Sequence, residues 1–97
     1  MKSLRIHEAA RREAHLATVW YAERSIPAAQ LFAGDLLAGF KRAAASPLSY
    51  PPYLHGTRRL VLRRFPYFIV FFDWQDEIYI VAVAHAKRRP GYWEKRA

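Results

Sequence analysis

Pro47, Pro51, Pro52 and Gly56 crowd one short stretch, Ser46–Thr57, and no regular element can run through it. The two sides of this loop carry different hydrophobic periods. Before it, apolar residues recur at helical spacing; after it, they alternate or run on without a break, as strands do. Ninety-seven residues leave room for one domain, 1–97. The chain therefore has to pack a helical half onto a sheet half.

The helical half follows a short strand over residues 1–8, where Leu4 and Ile6 fall on one side of an alternating run. Residues 9–45 then read as a hairpin of two helices. Ala9, Ala10, Ala14, Leu16, Ala17, Trp20 and Tyr21 share one broad face of the first, which stops near Arg24. Glu13 projects into the middle of that face. It can be read as a general base. The preferred reading is a structural pair with an arginine of the sheet, Arg58 to Arg64, because a buried carboxylate without a partner is costly. Ser25-Ile26-Pro27 restarts the helix, with Pro27 in the first turn, where its missing N–H has no partner to lose. The link is so short that the two helices must run antiparallel.

After the loop at 46–57 comes a three-strand meander over 58–86. Arg58–Arg63, Tyr67–Phe72 and Glu77–Ala84 are its strands, and Asp73-Trp74-Gln75-Asp76 is a turn. Unbroken apolarity in the last two makes them central, covered on much of both faces. The predicted fold is α+β, in the order βααβββ: an antiparallel helical hairpin on a small, mostly antiparallel sheet. Its core is Trp20, Tyr21, Phe32, Leu36, Phe40, Leu62, Ile69, Phe71, Ile80 and Val83. A basic tail occupies 87–97.

Several chemistries are excluded or unsupported. There is no cysteine, and the four histidines lack the i, i+4 or alternate spacing of a metal site. No glycine-rich phosphate loop or nucleophile elbow is present. No metal and no cofactor are expected. The N-terminus carries charge throughout, and the longest apolar run, Phe65–Phe72, is too short to span a bilayer. A soluble, cytoplasmic chain without a membrane partner follows as an expectation.

Charge is the informative feature. Sixteen Lys and Arg against eight Asp and Glu give +8, which favours an anionic partner. Arg58-Arg59 and Arg63-Arg64 bracket one strand, and Lys87-Arg88-Arg89 closes the last. These clusters either grip that partner or solvate a sheet rim. Tyr92 and Trp93 either stack on bases or plug the tail into its own domain, and the plug is preferred.

The run Arg58-Arg59-Leu60-Val61-Leu62-Arg63-Arg64-Phe65-Pro66-Tyr67-Phe68-Ile69-Val70-Phe71 resembles the central stretch of the RelE/ParE superfamily of bacterial type II toxins. So does Ile80-Val81-Ala82-Val83-Ala84-His85-Ala86-Lys87-Arg88-Arg89-Pro90-Gly91-Tyr92-Trp93. Glu13, Trp20-Tyr21, Phe32 and Ser46-Pro47 look like its helical half. The resemblance implies a growth-inhibiting toxin neutralised by a cognate acidic antitoxin. It offers two targets, DNA gyrase on the ParE-like side and ribosome-bound mRNA on the RelE-like side.

For an mRNA endonuclease of the RelE-like kind, the residues that match are Arg59, Arg88 and Tyr92. Val61 and Phe68 stand where that branch places two further cations. Each such contact to a developing charge is worth about 10²-fold or more, so the ParE-like side is preferred. The residues expected to meet the target are then Arg64, Lys87, Arg88, Arg89, Tyr92 and Trp93. A small basic nucleic-acid-binding module without toxicity is the third reading.

Overall fold

A computed structural model describes residues 1–97. The elements are β1 (Ser3–Ile6), α1 (Glu8–Ala22), α2 (Ile26–Ala45), β2 (Arg58–Val61), β3 (Tyr67–Trp74) and β4 (Glu77–His85). The order is βααβββ, and the architecture is the α+β one expected. The strands form one sheet in the order β1-β4-β3-β2. The β2–β3 and β3–β4 pairs are antiparallel, and β1 lies parallel to β4.

Local chemistry explains the boundaries. The His7 imidazole accepts a hydrogen bond from the Ala9 N–H at 3.0 Å, so it caps α1 and shortens the expected first strand to Ile6. Ser25 does the same for α2 through the Ala28 N–H at 3.2 Å, with Pro27 in the first turn as predicted. Two differences appear in the sheet. β2 ends at Val61 rather than Arg63, because the chain turns back early; the Leu62 N–H bonds the Tyr67 carbonyl at 3.0 Å. β3 runs on to Trp74, because Gln75 adopts φ 50° and tightens the hairpin to Gln75-Asp76. No helix is long and apolar enough to cross a membrane.

The sheet is covered on both faces, as the unbroken strands required. On one side, the helices and sheet enclose Phe32, Leu36, Phe40, Leu60, Ile69 and Ile80. On the other, Trp93 from the tail packs on Val70, Val81 and Ala82. A bulge switches sides within β4: Val70 pairs with Ala82 but Phe71 with Ile80, so Val81 is extra. Ile80 and Val83 therefore both reach the helical side despite their odd spacing.

One core assignment fails. Trp20 is 49% exposed and Leu16 59%, although both lie on the apolar face of α1. That face is wider than the sheet it meets. Ala10 and Ala17 take the buried centre, and Leu16 and Trp20 overhang its flank.

Two glycines of α2 make opposite predictions. A Cβ on Gly34 meets nothing within 4 Å, whereas one on Gly39 would lie 2.7 Å from Ile69 Cδ1 and 3.4 Å from Leu60 Cδ2. Gly34→Ala gains about 0.5–1 kcal/mol from helix propensity. Gly39→Ala loses about 1–3 kcal/mol to overpacking, so it yields no net gain. Thermal unfolding of the two variants checks this; an equal rise in both would mean that α2 does not press on β2 and β3.

Candidate functional site

β1 is shorter than its neighbour, and the site begins there. The last main-chain bond to β4 runs from the His7 N–H to the Ile80 carbonyl at 2.9 Å. β4 continues to His85 with its outer edge unpaired by any strand. Backbone groups left unpaired in a part-buried setting need partners. Side chains supply them. Glu13 on α1 accepts from the Val83 N–H at 3.0 Å, and Arg96 donates to the Val81 carbonyl at 3.3 Å.

The Glu13 carboxylate collects three more donors, all from the tail. Arg96 lies 2.9 Å from Oε1, the Tyr92 hydroxyl donates to Oε2 at 2.7 Å, and Arg88 reaches Oε2 at 3.4 Å. The Arg88 guanidinium also stacks on the Tyr92 ring, 3.8 Å from its centre. An ionised carboxylate has about four acceptor sites, so one side chain serves all four donors. Burial pushes the Tyr92 phenol well above the ordinary tyrosine value; the hydrogen bond to Glu13 and that group's charge push the same way, against the two arginines. Tyr92 thus holds its proton at neutral pH and acts as a donor, not as a base.

Glu13 is paired, but not with the residues expected. Its partners are Arg88 and Arg96 rather than any arginine from Arg58 to Arg64. Strand order is the reason. α1 follows β1, which lies beside β4, so α1 crosses β4 while β2 sits at the far edge. Arg64 instead meets Asp35 of α2 at 3.1 Å. Arg96 had no part in the sequence reading; its spacing of four from Tyr92 was the available signal.

The other sequence-picked residues are scattered. Arg88 and Tyr92 come together at Glu13, whereas Arg59 lies on the face away from the helices, over the rings of Tyr53 at 4.6 Å and Phe68 at 5.2 Å. The three do not share one cluster of contacts. Val61 and Phe68 are direct cross-strand partners, so the ground beside Arg59 is apolar. Lys87 and Arg89 are exposed. Trp93 is 1% exposed beneath Tyr53 and His55; it plugs the tail and offers no surface. Three of the four histidines serve structure: His7 caps a helix, His85 accepts from the Lys87 N–H at 3.0 Å, and His55 packs edge-on against Trp93; His15 is exposed.

Beside the Glu13 cluster a groove of about 460 Å³ runs between α1 and the end of the β3–β4 pair. Leu16 and Trp20 overhang it, and Tyr67, Val83 and His85 form its floor and far wall.

A family model described as ParE toxin of type II toxin-antitoxin system, parDE, matches residues 4–90. The chain belongs to the ParE toxin family. A solved structure of the chromosomal ParDE TA system from P. aeruginosa superposes with a TM-score of 0.71. It is 21% identical, over 90% of this chain and 98% of the other, and at that identity the likeness speaks for the fold. No curated protein matches the sequence. The matched span of this ParE-family chain ends at residue 90, so Tyr92, Trp93 and Arg96 lie beyond it. Their roles rest on the geometry above.

Proposed function

We propose that this ParE-family chain is a growth-inhibiting toxin acting in the cytoplasm, neutralised by a cognate acidic antitoxin, and directed at DNA gyrase rather than at mRNA. The observation that carries the choice of target is the register of β2 and β3. Val61 faces Phe68 across the strands, and both lie where an mRNA-cleaving relative would carry cations. Two apolar side chains there leave a phosphorane-like charge without partners. Tyr92 supports the same reading, since its proton is committed to Glu13. For the antitoxin, the fitting place is the groove under Leu16 and Trp20, where an amphipathic segment would cover exposed apolar surface.

The target contact is assigned to the exposed cations Lys87 and Arg89, with Arg64 as an outlying member. Arg88 and Tyr92 contribute by shaping the tail. Expression of the chain alone should arrest growth, and co-expression of the antitoxin should relieve it. The DNA-damage response should rise while mRNA stays intact. The double variant Lys87→Ala, Arg89→Ala should relieve arrest and melt within a few degrees of the parent, because exposed charges contribute little to stability. Primer extension on mRNA from arrested cells is the deciding measurement. Cuts at ribosomal A-site codons would overturn the gyrase reading, and no arrest would leave a family fold without the toxicity.

A further inference from the structure

Six of the sixteen cations, Lys2, Arg5, Arg24, Arg64, Arg88 and Arg96, meet a carboxylate within 4.0 Å. Most of the others are solvated at the surface. Arg59 is different. It is half-buried, its guanidinium rests on the rings of Tyr53 and Phe68, and its Nε is a buried side-chain polar atom with no hydrogen-bond partner. A buried donor left unsatisfied costs about 1–3 kcal/mol. No hydrogen bond within the fold repays it. The two rings hold the planar fork in place, so little order remains to be imposed when an acceptor arrives.

We infer that Arg59 is the anchor of a protein-docking surface, receiving one Asp or Glu side chain from a segment that is otherwise apolar. The class of acceptor follows from planarity: a carboxylate matches the guanidinium fork with two parallel bonds. The class of partner follows from the surroundings. A nucleic-acid strand needs a row of cations along its phosphates. Here the cross-strand partner is Val70, and beside it lies the Val61–Phe68 pair, with Val61 59% exposed. One arginine set among tyrosine, phenylalanine and valine is the composition of a protein interface centre. This surface lies on the sheet face opposite the helices, away from the groove under Trp20, and it does not depend on the chain being toxic.

The test selects short random peptides displayed on phage against the full chain, then measures the enriched peptides in solution. The expected peptides carry one Asp or Glu between apolar residues. Their affinity should fall roughly 30-fold or more with Arg59→Gln, or with the peptide acid replaced by its amide. Arg59→Lys should fall similarly, since it keeps the charge but loses the fork. Lys87→Ala should change affinity less than about threefold. Removing an unpartnered guanidinium should leave the fold intact, and the unaltered chain gives a second measurement: its Arg59 Nε–H resonance should move on adding peptide. Peptides without an acid, binding indifferent to Arg59→Gln, or a resonance that stays put would overturn the assignment. Arg59-dependent binding of a short single-stranded oligonucleotide, tighter than of any peptide, would overturn it in favour of nucleic acid.

Discussion

Trp93→Ala lowers stability by about 3–5 kcal/mol, whereas Trp20→Ala lowers it by about 1 kcal/mol or less. The two residues have the same volume and opposite surroundings. Trp93 is sealed at 1% exposure between Val70, Val81 and Ala82 below and Tyr53 and His55 beside it. Truncation leaves a hole under the tail and removes what holds the tail down. Trp20 keeps half its surface in water and stacks on Arg24, whose guanidinium lies 3.6 Å from the ring centre. Thermal unfolding reads the difference directly. Limited trypsin digestion reads the cause, since the bonds after Lys87 and Arg88 should become cleavable in Trp93→Ala before the rest of the chain unfolds. Equal melting points for the two variants would mean that the tail does not cover the sheet.

The second large effect belongs to Glu13→Gln, at about 2–3 kcal/mol. Glutamine keeps the shape but turns one acceptor into a donor. Its oxygen can still receive the Val83 N–H and Arg96; it then aims its amide at the Tyr92 hydroxyl and Arg88. Part of the network is left unpaired with its charges still in place. pH separates this from a packing effect. Native Tyr92 keeps its proton beyond the value of ~10 at which an unfolded tyrosine loses it. Its contribution is therefore full below pH ~10 and is lost as the pH climbs through the native value. In Glu13→Gln the hydrogen bond to a charged acceptor is gone, so Tyr92 should ionise at lower pH. Tyrosinate absorbance across an alkaline titration measures that. An unchanged titration would place Tyr92 elsewhere than on Glu13.

The order of elements was legible because its signals are local. Ser25 and Pro27 start a helix whatever surrounds them, and the prolines of the loop stop one. Central strands were legible from unbroken apolar runs, and the sheet does bury both faces of β3 and β4. What could not be read is who neighbours whom. The partner of Glu13 depends on strand order, which no local pattern carries. Trp20 lies on the correct face of α1, yet whether a face is covered depends on the width of the sheet beneath it. Arg59 and Arg88 looked equivalent as basic residues near strand ends; the fold sends one to each side of the sheet. The end of β2 at Val61 shows the same limit, since Leu62 stays buried after the ladder has stopped.

The parallel pairing of β1 with β4 joins Ser3–Ile6 to residues 77–80, so the first strand made must wait for the last. Glu13 waits longer, for Val83, Arg88, Tyr92 and Arg96. During synthesis the helical hairpin emerges with no sheet to lie on. Contacts of such long sequence separation also form slowly. A chain ended before β4 lacks both that strand and the plug, and has neither of its two cores complete. Folding is in effect a proofreading step: a chain interrupted before β4 leaves β1 without its partner and its helices without a sheet, open to proteases.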